Sequence, residues 1–322
     1  MKALKIIMLI LFFPLFTFAQ EKAKPREGEG ITLFLKRFKR TETHHYNQFI
    51  KLNKNQLGKN NTLIIGREYL LPPLKKEGYE PLFGKQYAKY PIESNELDGA
   101  SFYLVSGHGG PDPGAIGKHE GKELHEDEYA YDIVLRLARC LLMKGATVHI
   151  IIQDAQDGIR NSRFLANSKR ETCMGNRIPL NQVERLRQRC NQINKIYRND
   201  NASYRRALFV HLDSRSKRQQ TDVFFYHSET SRKGKHLAST LRETFDKKYD
   251  KHQPSRGFSG TLSARELYVL QHTQPASVFV ELGNIQNKRD QQRFMIEDNR
   301  QALANWICEG FIRDYKYYSK KK

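Results

Sequence analysis

The chain has 322 residues and a formal charge of +20, from 55 Lys and Arg against 35 Asp and Glu. With 39% hydrophobic and 11% aromatic residues it can bury a substantial core, which excludes wholesale disorder, and four cysteines are too few for a disulfide scaffold. The basic excess points to a polyanionic partner, whether nucleic acid, an anionic membrane surface or an acidic polysaccharide, and charge alone does not choose among them.

Lys2 and Lys5 precede the apolar run Ile6 to Phe18, and Thr17-Phe18-Ala19 offers small residues where a signal peptidase reads. Residues 1–19 are therefore expected to be a signal peptide, and the protein to be exported to the periplasm or cell envelope. The run is shorter than the roughly 18 to 20 apolar residues of a spanning helix, and no later stretch approaches that length. No membrane span is expected in the mature chain, and nucleic acid is not the expected partner of an exported protein.

Residues 30–74 carry apolar positions at Ile31, Leu33, Phe34 and Phe38, then Tyr46, Phe49 and Leu52, and finally Leu63 to Ile65 and Tyr69 to Leu71. Two short helical patterns sit between strand-like ends. The tract YNQFIKLNKNQLGKNNTLIIGREYLLP resembles a LysM module, a small βααβ unit. That resemblance implies binding to glycans containing N-acetylglucosamine. Residues 75–98, with Pro81, Gly84, Pro91 and mixed charges, are expected to be a linker.

From residue 99 to 317 strand-like and helical segments alternate. Strands are expected at 102–106, 146–152, 207–211, 223–226 and 277–281, and helices at 126–144, 180–197, 234–249, 264–273 and 299–317. This order predicts an α/β domain with a twisted, largely parallel sheet flanked by helices.

Open α/β sheets place ligands beyond the carboxyl ends of their strands. Three expected strands end in chemistry: the first runs into Gly107-His108-Gly109-Gly110, the third delivers His211 followed by Asp213, and the last delivers Glu281. The helix after the first strand adds a fourth group. Its apolar stripe reads Ala130, Ile133, Val134, Leu137 and Leu141, and one step of four residues back from Ala130 is Glu126 on the same face. An unpaired inward carboxylate is costly, and a cation offsets that cost. Two imidazoles and one carboxylate form a catalytic zinc site, although the same donors also hold non-haem iron. Glu281 is then the general base, taking a proton from water as it attacks a carbonyl and passing it to the leaving nitrogen.

At these residues the chain also resembles the zinc-dependent N-acetylmuramoyl-L-alanine amidases. The resemblance rests on GHGGPDPGAIG, LHEDEYAYDIVLRLARCLLMKGATV, LFVHLDS and SARELYVLQHTQPASVFVELGNIQN, in that order. It implies Zn2+ held by His108, Glu126 and His211, with Glu281 catalytic. The implied reaction is hydrolysis of the amide between N-acetylmuramic acid and the L-alanine of the peptidoglycan stem peptide. A non-catalytic peptidoglycan-binding or amidase-regulating protein of the same fold is the alternative, and the intact quartet speaks against it.

The chain departs from the family where Val105-Ser106 replaces an Asp-Pro pair before Gly107-His108, which removes a carboxylate that could orient the histidine. Asp112 and Asp213 are the candidates to replace it near the substrate, and Arg265 is expected to contact stem-peptide carboxylates. The tract 154–181 is longer than an ordinary connection and is expected to cap the cleft. The resemblance further implies that such an insertion blocks the metal until an activator protein displaces it, a part that falls to Glu171. His125 is the nearest rival ligand, but helical geometry turns it about 100° from Glu126. No disulfide is expected among Cys140, Cys173, Cys190 and Cys308.

Overall fold

The computed structural model describes residues 21–41, 43–73, 76–214 and 222–320. The expected signal peptide lies outside the described residues. The chain divides into two compact units, residues 1–75 and 76–322.

The first unit contains strand β1 (Lys22–Ala23), helices α1 (Ile31–Arg37) and α2 (Thr43–Leu52) and strand β2 (Tyr69–Leu70). β1 pairs antiparallel with β2, so the strand that completes the unit lies before residue 30, the expected start. Phe34, Leu35 and Phe49 pack against Tyr69 and Leu71. Asn53, buried just past α2, donates from Nδ2 to the Leu70 carbonyl and accepts from the Leu70 amide at Oδ1, both at 2.9 Å. One side chain thus satisfies both backbone groups of a very short strand.

The second unit opens with strands β3 (Lys76–Tyr79), β4 (Lys89–Ile92), β5 (Ala100–Ser106), β6 (Ile116–His119) and β7 (Lys122–His125), followed by helix α3 (Glu126–Met143). Strands β8 (Thr147–Ile150), β9 (Ile152–Gln153), β10 (Thr172–Cys173) and β11 (Asn176–Arg177) lead to helix α4 (Gln182–Asn199). Then come β12 (Tyr204–Asp213), β13 (Phe224–His227), α5 (Arg232–His252), β14 (Thr261–Ala264), α6 (Tyr268–His272), β15 (Ala276–Asn284), α7 (Lys288–Met295) and α8 (Glu297–Ser319). The central sheet has six strands in the order β14-β13-β15-β12-β5-β8. β15, β12, β5 and β8 are parallel, while β13 runs antiparallel to β15 and carries β14 alongside it.

Side chains of the central strands alternate between two cores. Phe102, Leu104, Leu208 and Val210 face the side packed by α3, α5 and α8, whereas Tyr103, Val105, Ala207 and Phe209 face α4 and α6. Period-two alternation with both faces apolar is what a parallel sheet covered on both sides requires. No described helix is long and apolar enough to cross a membrane.

Four expectations need correction. Residues 76–98 are not a linker: β3 and β4 form an antiparallel hairpin, and Phe83, Tyr90 and Leu97 are buried in the core shared with α3. Those apolar residues stand singly among turn residues, so no periodicity announces them. The strand expected at 146–152 breaks into β8, which pairs with β5, and β9, which joins β10 and β11 in a separate small sheet. The insertion 154–181 is stitched down by this small sheet, with Leu165, Ser168, Glu171, Cys173 and Ile178 buried, and none of its residues lines the cavity at His108, His211 and Glu281, so it does not cap that cleft. The helix expected at 264–273 is only α6, because the residues before it form edge strand β14 and its approach. Hairpin β6-β7 and helix α7 were not foreseen from the pattern.

Phe83 is fully buried in this core. Phe83→Ala is expected to destabilise the second unit by about 3–5 kcal/mol, the usual cost of deleting a buried ring. Urea unfolding followed by circular dichroism measures it, and a loss below about 1 kcal/mol would restore the linker reading.

Candidate metal centre

The parallel register brings three strand ends to one edge. Val210 lies opposite Ser106, the last residue of β5, and His211 lies opposite Glu281 on β15. Neighbouring strands are about 4.7–4.9 Å apart, so His211 and Glu281 leave the sheet side by side. His211 is sandwiched against Phe279, ring centroids 4.3 Å apart and 18° from parallel.

After β5 the backbone takes three successive left-handed residues, His108 at φ 58°, Gly109 at 100° and Gly110 at 64°. That conformation costs a residue with a Cβ about 1–2 kcal/mol. His108 is held there from three directions. Asp112 Oδ2 lies 2.9 Å from His108 Nδ1, Arg185 Nη2 donates to the same oxygen at 2.7 Å, and Arg189 Nη2 donates to the His108 carbonyl. Arg185 and Arg189 are one turn apart on α4.

Glu126 opens α3 and is 3% exposed. Its Oε1 lies 2.9 Å from His211 Nδ1 and accepts the Leu212 amide at 3.0 Å. Its Oε2 lies 3.2 Å from His108 Nε2 and accepts the Ala115 amide at 2.8 Å. Two glycines leave room for this convergence. A Cβ at Gly107 would sit 2.4 Å from the His211 ring, and one at Gly114 would sit 2.6 Å from the His108 ring and 2.7 Å from Glu126 Oε2.

Donor atoms of His108, Glu126 and His211 all fall within 4.8 Å of one another. Two ring nitrogens and a carboxylate oxygen on a rigid frame fit a divalent transition metal, and Asp112 supplies the outer hydrogen bond that fixes a ligating imidazole. A cavity of about 300 Å³ opens on this group, lined by His108, His211, Glu281, Arg185, Tyr268 and Phe279.

The same contacts set the protonation states. Burial pushes His108 down, but the Asp112 and Glu126 carboxylates at its two nitrogens outweigh it and raise it to about 10. For Glu126 burial works upward and is overcome by the two imidazoles, which hold it well below the usual carboxylate range. His211 moves the other way, lowered chiefly by its burial despite Glu126.

The remaining expected residues divide. Asp112 reaches an imidazole, at His108 Nδ1. Asp213 Oδ1 accepts the Ser214 amide at 2.8 Å, and Asp213 does not line the cavity. His125 caps α3, with Nε2 3.2 Å from Glu123, outside the metal group. Arg265 is at the wrong edge of the sheet. It follows β14 and donates its amide to His227, which pairs with Val278, three residues before Glu281. There it lies over the Tyr226 ring and lines a separate cavity of about 790 Å³ with Arg205, Arg232 and Lys233. The reversal of β13 and β14 carries it there. Glu171 accepts the Gly110 amide at 2.8 Å and is buried beside Asp127 and Glu128, so it does not block the metal group. Arg185, Arg189 and Phe279 were missed, since a helical arginine reads as a solvated charge and a strand phenylalanine as core.

Residues 103–313 match the family described as N-acetylmuramoyl-L-alanine amidase. The chain is 23% identical over 245 residues to the germination-specific N-acetylmuramoyl-L-alanine amidase of Bacillus subtilis, covering 72% of this chain and 89% of that protein. It is 22% identical over 245 residues to an uncharacterized cell wall amidase of Bacillus anthracis, covering 74% of this chain and 40% of that protein. Its fold is similar to that of the CwlD amidase of Clostridioides difficile, solved in complex with the GerS lipoprotein. That likeness has a TM-score of 0.50 at 19% identity and covers 67% of this chain and 98% of the other.

Two outcomes follow from the geometry. Gly107→Ala forces His211 aside and is expected to lower bound metal, read by elemental analysis, by about tenfold or more while far-UV circular dichroism is unchanged, since one displaced ligand typically costs at least that much affinity. Because His108 holds its proton up to about pH 10, metal binding at neutral pH must release it. Affinity is expected to fall about tenfold per pH unit below that value, with about one proton released per metal in calorimetry across buffers of differing ionisation heat. A pH-independent affinity between about pH 7 and 10 would contradict the raised protonation of His108.

Proposed function

The chain belongs to the N-acetylmuramoyl-L-alanine amidase family, and we propose that it is an exported zinc enzyme that cuts the amide between N-acetylmuramic acid and L-alanine in peptidoglycan. The carrying observation is the convergence of His108, Glu126 and His211 within 4.8 Å, with Glu281 beside His211 on the adjoining strand and lining the same cavity.

His108, Glu126 and His211 hold the zinc. When bound, zinc supplies Lewis acidity that polarises the substrate carbonyl and lowers the pKa of water. Glu281 accepts a proton from the attacking water and returns it to the alanine nitrogen, so the C–N bond breaks with a carboxylic acid on the lactyl side and a free amine on the peptide. Asp112, pinned by Arg185, keeps the His108 Nδ1 proton in place and presents Nε2 inward. Phe279 closes one wall of the cavity and fixes the His211 ring plane.

The first unit is assigned glycan binding, for which the exposed Tyr46, Ile64 and Ile65 supply apolar surface to sugar rings. The basic excess, +20 over the whole sequence and +18 without Lys2 and Lys5 of the expected signal peptide, draws the protein to a carboxylate-bearing wall without choosing the bond cut. An activator protein is a further proposed partner, as a lipoprotein accompanies the similar CwlD amidase.

Zinc-loaded protein incubated with purified peptidoglycan is expected to release stem peptides beginning with L-alanine, identified by mass spectrometry. Chelation is expected to abolish release, and Glu281→Gln to reduce it about 10²–10⁴-fold without loss of zinc, the range expected for removing a general base. Intact muropeptides under every condition would favour the non-catalytic alternative.

A further inference from the structure

A second cluster of acids lies directly behind the metal group. Asp127 and Glu128 follow Glu126 in the first turn of α3, and Glu171 comes from the inserted segment just before β10. All three are buried, and one oxygen of each falls within 4.8 Å of the others. The only guanidinium paired with any of them is Arg160, which lies 2.8 Å from Glu128 Oε2, among the described residues. Glu128 Oε1 accepts the Ser168 amide, and Glu171 Oε2 accepts the Gly110 amide at 2.8 Å. Three carboxylates therefore share one guanidinium, which Asp157 also meets at 2.7 Å, in a dry setting where unbalanced charge is costly.

Asp127 makes the imbalance specific. It is 3% exposed, its Oδ1 accepts only the amide of the next residue at 2.9 Å, and its Oδ2 has no hydrogen-bond partner among the described residues. Buried carboxylate oxygens are seldom left so.

We propose that Asp127, Glu128 and Glu171 hold a hard divalent cation, Ca2+, at a second site separate from the His108, Glu126 and His211 group. The donors are all oxygen, which selects Ca2+ or Mg2+ over zinc. The dry, all-carboxylate setting selects between those two. Ca2+ takes its oxygen ligands from protein in a flexible shell, whereas Mg2+ demands a tighter octahedron and keeps most of its water. The carboxylates outnumber the one guanidinium among them, which Asp157 also shares, and a divalent ion balances the excess. The position gives the ion a task. It ties the inserted segment to the first turn of α3, and through Glu171 to the Gly110 turn that follows His108, so it stiffens the frame on which two of the three metal donors stand.

The test is binding, independent of hydrolysis. Full-length protein stripped of metals and reloaded with one equivalent of Zn2+ is titrated with CaCl2 by calorimetry, and its thermal midpoint is followed. The expected result is about one Ca2+ per chain bound beyond the zinc, with a midpoint that rises with Ca2+ concentration. Asp127→Asn and Glu171→Gln are each expected to weaken Ca2+ binding about tenfold or more while keeping their zinc, since ligand charge count tunes such sites. If Asp127→Asn also loses zinc, Glu171→Gln, on a separate segment, decides the assignment. No Ca2+ binding up to about 10 mM, beyond the weakest natural sites, would overturn the proposal and leave the trio sharing a proton. Binding unchanged in Glu171→Gln, or Ca2+ that only displaces zinc, would overturn it equally.

Discussion

The structure turns on one buried carboxylate. Glu126 is almost wholly removed from water, and each of its oxygens meets one imidazole and one backbone amide. Alone, a charge in that position would cost far more than the fold could bear. Its presence therefore requires the turn after β5, the end of β12 and the loop before β6 to converge on the first turn of α3. Gly107 and Gly114 are the steric expression of that requirement, since a methyl group at either position would occupy the space the rings need.

The sheet makes this convergence repeatable. Parallel β5, β12 and β15 end at one edge, and the crossover helix α3 must begin where β5 and its short β6-β7 hairpin deliver the chain. Apolar side chains on both faces of these strands fix their register, and a slip of one residue would turn His211 and Glu281 toward the wrong core. Packing energy spread over two cores thus secures the positions of four polar side chains. Around them α4 adds Arg185 and Arg189, which hold the strained His108 turn through Asp112 and the His108 carbonyl.

What could be read in advance followed the physics of each signal. His108, Glu126, His211 and Glu281 were legible because strand ends and the helical stripe place them without any knowledge of distant contacts. Asp112 and Asp213 could not be ranked, because which carboxylate reaches a ring depends on the left-handed turn at His108. Arg265 was misplaced because nothing local reveals that β13 runs backwards, and that reversal moves the residues after β14 to the opposite edge. Residues 76–98 hid a hairpin because Phe83, Tyr90 and Leu97 are spaced singly among prolines and glycines. Glu171 fell inside the expected insertion, but its partner, the Gly110 amide, is 61 positions away in the chain and invisible to local pattern.

In the proposed enzyme two imidazoles and one carboxylate, and no sulfur donor, would hold the zinc. X-ray absorption at the zinc edge on the loaded protein reads those atoms directly. Nitrogen and oxygen neighbours only are expected, at about 2.0–2.2 Å, with two imidazole rings in the outer scattering and one after His211→Ala. A sulfur neighbour at about 2.3 Å, or an imidazole count unchanged by His211→Ala, would contradict it.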